Sequence, residues 1–252
     1  MRNRTEIIAF MYHEVTDEPT TTGFQRPSAM AYKHPVREFE TNLDQIAASG
    51  TKPERVDRIV SGNTHLLLTF DDGGRSALIA ADLIERRGWR GHFFVITGFI
   101  NAPGFVTKSD VRELRARGHL VGSHSHTHPD IFREISSAQL NYEWTHSREI
   151  LADILGEQVA AAAIPGGHGN HLTERAAASA GYSFLFTSVP RKVPWETDGM
   201  LCIGRVCPKK GTSTRRIAAL AQGRGFTRQI WLRRAKAAAR DCMRLSNTLT
   251  RF

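Results

Sequence analysis

Two short segments concentrate side chains able to hold a metal ion or move a proton. The first is Thr69-Phe70-Asp71-Asp72-Gly73, directly after the apolar run His65-Leu66-Leu67-Leu68. Adjacent carboxylates repel, so two of them at a strand end require a cation or an unequal division of protonation. An Asp-Gly pair in a solvated turn is the plainer alternative. The second segment is His124-Ser125-His126-Thr127-His128-Pro129, after the run 119–122. His124 and His128 are separated by three residues, which puts both imidazoles on one side of a helical turn or tight loop. Two imidazole nitrogens and one carboxylate make a three-ligand zinc site whose fourth position stays open. A surface histidine cluster without a metal is the alternative, weakened by the neighbouring aspartates. His126 is out of phase with the pair and is expected beside the site or exposed. A third segment, Ala163-Ile164-Pro165-Gly166-Gly167, has glycines that allow backbone N–H groups to approach an oxyanion closely.

TFDDG followed by GHLVGSHSHTHP resembles the first two motifs of the polysaccharide deacetylases, the NodB-like carbohydrate esterase family 4, and the likeness runs from about Ile7 to Val206. Carried over residue by residue, the resemblance implies that Asp72, His124 and His128 hold one divalent ion, zinc by its donor set. It implies Asp71 as the catalytic base and Ser125 as a brace for the histidine loop. Three departures stand out. Ala163 occupies the position of the family's arginine, which orients and charge-balances the base; Arg205 is the candidate to supply that charge from another direction, a surface arginine being the alternative. The late Leu-x-His that protonates the leaving amine is absent, since the stretch reads Leu201-Cys202-Ile203-Gly204-Arg205. His13, in Met11-Tyr12-His13, resembles the Tyr-His of poly-N-acetylglucosamine deacetylases and replaces it here, with His168 as second candidate. Trp195 lies where the family places a tryptophan in the acetyl pocket wall, although Lys192 stands three residues earlier instead of an aspartate. Pro165, Gly166, Gly167, His168, Trp195 and Arg205 together are the candidates for substrate or oxyanion contact.

The implied activity is metal-dependent hydrolysis of N-acetyl groups on N-acetylhexosamine units of a polysaccharide, oligosaccharide or lipid-linked glycan, of an exopolysaccharide-pathway type. Hydrolysis of a small amide or ureide on the same scaffold is one competing reading, and a catalytically weak carbohydrate-binding module is another.

These residues need a frame that brings several chain segments together. Apolar runs at 6–12, 65–70, 92–97, 119–122, 159–164, 184–187 and 201–206 have the length of buried strands. Helical patterns alternate with them: one starting at Pro35 with Phe39, Leu43 and Ile46 on one face, then 74–87, 109–117, 137–155 and 173–180. Strand and helix in alternation predict an α/β fold with a parallel sheet, here a (β/α) barrel of about seven strands, distorted or incomplete. Barrel enzymes place their chemistry just past the C-terminal ends of strands, where all three segments lie. Trp89 and Trp144 fall in or beside helical patterns and are read as packing.

The chain of 252 residues can bury one substantial core. Its net charge of +9 is uneven: residues 205–252 hold 13 basic residues and one acid, while 1–204 hold 21 basic and 24 acidic residues. The bulk of the chain is therefore no nucleic-acid-binding body. We expect a catalytic domain over 1–206 and a basic helical extension over 207–252, packed on or beside the barrel. In that extension Phe226, Ile230, Ala235, Ala238, Ala239, Cys242 and Leu245 recur at helical spacing among arginines. Such a helix either packs its small face on the barrel or makes a peripheral contact with an anionic membrane. Three cysteines without a C-x-x-C pair, no cleavage signal and no long apolar run predict a cytoplasmic protein.

Overall fold

The computed structural model describes residues 4–167 and 169–226. In chain order these form β1 (Glu6–Tyr12), β2 (Glu14–Val15), β3 (Lys33–His34), α1 (Val36–Ala47), β4 (Thr64–Phe70), α2 (Ala77–Glu85), β5 (His92–Val95), α3 (Lys108–Ala116), β6 (Leu120–Ser123) and α4 (Ser137–Leu155), followed by β7 (Ala161–Ala163), α5 (His171–Ser179), β8 (Phe184–Phe186), β9 (Trp195–Thr197), β10 (Met200–Ile203), β11 (Arg205–Val206) and α6 (Thr214–Ala221). The apolar runs predicted as strands all contain one, because uninterrupted apolar segments are stable only where both sheet faces are covered. Each crossover helix turns an apolar stripe onto the sheet; α1 buries Phe39, Leu43 and Ile46. Local chemistry sets several helix starts. Thr107 and Asp110 close a capping box on α3, Asn170 and Thr173 do the same on α5, and Ser136 caps α4.

The main sheet has the order β11-β1-β4-β5-β6-β7-β8-β10-β9. Its ladders are parallel apart from the antiparallel β9–β10 pair, which the sequence pattern does not suggest. The expected strand over 201–206 is split at Gly204. There the 189–191 segment crosses so closely that a side chain would come within 2.4 Å of the Val189 carbonyl oxygen and 2.5 Å of that of Arg191. Before the split the chain pairs with β8, and after it with β1, placing Arg205 beside Ala9. One run of chain thus carries the ladders at both ends of the sheet. Alternate residues face opposite ways, so Ile8 and Phe10 join the core beneath the helices. Ile7 and Ala9 join a second cluster with Leu67, Phe94, Ala163, Phe186 and Ile203. Trp89 and Trp144 are buried in the helix-side core.

Pro35 is the N-cap of α1 and does not stand inside its first turn. Helix α6 packs on α1 and buries Ile217, Leu220 and Ala221 in the main core, so the chain just past residue 206 packs on the body of the fold. The amphipathic pattern beyond Phe226, including Cys242, lies outside the described residues. Among the described residues no helix is long and apolar enough to cross a membrane.

Candidate active site

The C-terminal ends of β1, β4, β5 and β6 are stitched together by backbone hydrogen bonds. The Asp71 N–H donates to the Tyr12 carbonyl at 3.0 Å, so His13, the next residue, emerges beside the paired aspartates. The His124 N–H donates to the Val95 carbonyl at 2.8 Å, and the N–H groups of Thr97 and Gly98 donate to the carbonyls of Ser125 and His126 at 3.2 and 2.9 Å. A Cβ on Gly98 would sit 2.7 Å from the His126 carbonyl oxygen, so only glycine permits this approach.

The two loops are held in unusual backbone geometry. Asp72, Ser125 and His128 have φ of 74°, 64° and 55°, in the left-handed region. For residues with a Cβ this costs about 1–3 kcal/mol each, and such strain persists only where the surroundings enforce it. Ser125 Oγ accepts the His128 N–H at 3.1 Å, and Ser123 Oγ accepts the Ser125 N–H at 3.0 Å. Glu143 on α4 accepts the N–H groups of His126 and Thr127, both at 2.8 Å, as well as the Thr127 hydroxyl. His126 itself contacts Thr97 Oγ1 and the rings of Tyr142 and His146, beside the site.

This frame brings ligand atoms of Asp72, His124 and His128 within 4.8 Å of one another. Asp72 Oδ1 is 3.4 Å from His124 Nε2 and 3.6 Å from His128 Nε2. Metal–ligand bonds of about 2.0–2.2 Å at tetrahedral angles put neighbouring donors about 3.4 Å apart, so the triad fits a zinc-sized ion. His124 Nδ1 donates to the Ala163 carbonyl at 2.9 Å, which turns Nε2 toward the triad. Burial pushes the Asp72 carboxyl up, but the hydrogen bond to His124 and the imidazoles of His13, His124 and His128 hold it well below the carboxylate range. Burial, with His124 beside it, holds His128 down at about 4, in the neutral form a ligand needs.

Asp71 is clamped by Arg205. The guanidinium donates to Asp71 Oδ1 at 2.6 Å and Oδ2 at 2.8 Å, to Thr69 Oγ1 at 2.9 Å and to the Thr187 carbonyl at 3.0 Å. It lies near the rings of Phe94 and Phe186, and the two charged side chains are 0% and 2% exposed. Burial favours the protonated acid; the charges of Arg205 and then His124 reverse this and hold Asp71 below its ordinary value. Arg205 thereby supplies, from β11, the charge that Ala163 on β7 does not.

A cleft of about 690 Å³ opens over these groups, lined by His13, Asp71, Asp72, His128, Gly166, Gly167 and Arg205. His13 packs tilted against the Tyr32 ring, and its Nδ1 is buried without a hydrogen-bond partner among the described residues. Burial lowers the pKa of His13, opposed by Asp72 and Asp71. Trp195 is not part of the cleft wall. Its strand β9 lies beyond β10 at the sheet edge, where the indole donates to Glu174 on α5 at 3.3 Å. Pro165 is buried and does not line the cleft. The Gly167 N–H already donates to the Ile164 carbonyl at 3.1 Å, which removes it as an oxyanion donor. His168 lies outside the described residues. His34, His65, His92 and His119 are buried structural residues: His92, for instance, accepts from the Val56 N–H and bonds the Leu68 carbonyl.

Two carboxyls escaped the reading of the sequence. Glu143 looks like one more polar residue of a helix until its loop contacts are seen. Glu14 follows His13 directly and is buried; one oxygen accepts from Thr22 and Ser76 hydroxyls and the other has no partner among the described residues. The signal available was a charged residue inside an apolar run, between Tyr12 and Val15.

A family model described as polysaccharide deacetylase matches residues 59–185, half of the chain. The peptidoglycan-N-acetylmuramic acid deacetylase PdaA of Bacillus subtilis is 26% identical over 149 residues, 57% of this chain and 51% of that protein. Among solved structures, the polysaccharide deacetylase BC0361 of Bacillus cereus aligns with a TM-score of 0.73 at 22% identity, covering 86% of this chain and 69% of that one. IcaB from Ammonifex degensii aligns with a TM-score of 0.68 at 23% identity, covering 87% and 99%. At these identities the structural likenesses establish the fold.

Proposed function

The chain belongs to the polysaccharide deacetylase family, and from that premise we propose that it hydrolyses the N-acetyl group from N-acetylhexosamine units of a glycan. The observation that carries this reading is the convergence of Asp72, His124 and His128 on one point of the cleft beside an Asp71 held ionised by Arg205. Asp72, His124 and His128 would hold a divalent ion, zinc by the nitrogen and oxygen donor set. When bound, such an ion polarises a carbonyl and makes water a stronger nucleophile.

The chain's own residues do the rest. Asp71 accepts the proton of the attacking water, and the Arg205 clamp keeps both its oxygens charged and aimed before the reaction begins. His13 lines the same cleft and gives its proton to the departing amine. Because burial disfavours its charged form, the imidazolium is a strong donor once formed. The products are acetate and a free hexosamine. A binding module would gain nothing from a buried carboxylate with its own guanidinium, whereas a general base does.

The test is acetate release from N-acetylglucosamine oligomers by wild type and Asp71→Asn. The amide cannot take up a proton, so turnover is expected to fall about 10²–10⁴-fold while metal content holds. Undiminished release would remove Asp71 from the reaction.

A further inference from the structure

The cleft carries more positive charge than this chemistry uses. Its lining includes Arg26, Lys33, Arg205, Lys209 and Arg216 against the carboxyls of Glu14, Asp71 and Asp72. Arg205 is matched by Asp71, and Arg26 pairs with Asp130 at 3.2 Å. Asp72 faces two imidazoles, and burial pushes the Glu14 carboxyl up to about 7, which weakens it as a counter-charge. Lys209 and Arg216 have no carboxylate partner among the described residues. The Lys209 ammonium stands 5.2 Å from the centre of the Tyr32 ring, and Arg216 donates to the Gly225 carbonyl at 3.1 Å.

Both cations line the cleft that also holds His13, Asp71 and Asp72. The Tyr32 ring approached by Lys209 is also 4.8 Å from the His13 imidazole. The loop that presents Lys209 is fixed: the Lys210 N–H donates to the Ala31 carbonyl at 2.8 Å, the Gly211 N–H to Glu38 at 2.9 Å, and the Lys209 N–H to Thr212 Oγ1 at 3.0 Å. Arg216 follows on α6, whose inner face is locked into the core.

Cations without a carboxylate partner along one cleft raise its potential and attract anions, and guanidinium and ammonium groups both suit phosphate or carboxylate oxygens. The same wall repels the ammonium that each deacetylation creates, so a polymer rich in free amines fits poorly. We propose that the substrate is an N-acetylhexosamine glycan carrying an anionic group, phosphate or carboxylate, seated against Lys209 and Arg216 within about one sugar unit of the acetamide. The proposal rests on the deacetylase reading of the same cleft.

The experiment measures binding and acetate release separately, on full-length metal-loaded protein. N-acetylglucosamine 1-phosphate, a glucuronic acid–N-acetylglucosamine disaccharide and neutral diacetylchitobiose are titrated by calorimetry at low and high salt. At least one anionic probe is expected to bind about tenfold more tightly than the neutral one, as one or two charge-assisted hydrogen bonds would give, with the advantage shrinking in high salt. Preference for the phosphate points to a glycosyl phosphate, and preference for the uronate to an acidic glycan. Lys209→Ala, an exposed substitution, and Lys209→Ala/Arg216→Gln are expected to collapse the anionic-to-neutral ratio stepwise. Equal binding of all three probes, or an unaltered ratio in both variants, overturns the proposal. Acetate release from chitobiose with no anionic preference leaves the deacetylase reading intact without it. An anionic preference with no acetate from any probe does the reverse.

Discussion

Replacing Arg205 by Met should damage the protein through Asp71, and the pH dependence should say so. In the wild type four hydrogen bonds tie the guanidinium to Asp71, Thr69 and Thr187, with neither charged side chain reaching solvent. Removing one member of such a pair leaves a buried carboxylate without compensation, a loss of about 3–5 kcal/mol. That is a large share of the roughly 5–15 kcal/mol that holds a domain together. The sign with pH follows from the lowered Asp71 pKa. In the wild type this carboxyl adds stability above its unfolded pKa and loses it as pH falls through the folded one. Without Arg205, burial dominates and raises the folded pKa, so the variant's deficit should be large at pH 8 and narrow on acidification, as Asp71 takes up a proton. The double variant Asp71→Asn/Arg205→Met, which removes both charges, should recover much of the loss. Urea denaturation across pH gives the stabilities, and acetate release across the same range gives the second readout. A base works only when deprotonated, so the acidic limb of kcat/KM should move to higher pH in Arg205→Met. A deficit constant with pH, or an acidic limb that stays in place, would refute the clamp.

Protein purified without added metal should carry one divalent ion per chain, lost in Asp72→Ala; equal metal content in the two would sink the ligand assignment. Glu143→Gln leaves a single acceptor oxygen where a carboxylate serves three donors of the histidine loop, so metal affinity should fall about tenfold or more, measured against a competing chelator. Glu14 has a folded pKa raised to about 7 by burial, so the folded state holds a proton that the unfolded state releases near pH 4.5. Wild-type stability should therefore decline between those values, by on the order of 3 kcal/mol, and Glu14→Gln should remove that slope. Parallel pH profiles for the two proteins would contradict this.

What could be read from residues alone divides along a physical line. Strand positions and most helices were legible because burial on both faces writes uninterrupted apolar runs and covering helices write a repeating stripe. The aspartate pair and the histidine pair stood out because adjacent carboxylates and closely spaced imidazoles past apolar runs are chemically conspicuous, and the fold brings Asp72, His124 and His128 within 4.8 Å of one another. Arg205 is the intermediate case. Its type was visible and its target was named, but the clamp depends on a strand break at Gly204 that routes residues 205–206 beside β1, and no local pattern records a crossing by the 189–191 segment. Trp195 failed for the related reason that an antiparallel edge strand interposes itself after β8 and carries the indole toward α5. Glu143, Lys209 and Arg216 were illegible because solvated and functional charges look alike until their partners are known. A helical glutamate is ordinary unless its oxygens face backbone N–H groups, and a basic C-terminal region reads as a surface until α6 folds back on α1 to wall the cleft. The charge excess counted over residues 205–252 thus has two meanings in one number: part of it lines the cleft, and only the fold tells which part.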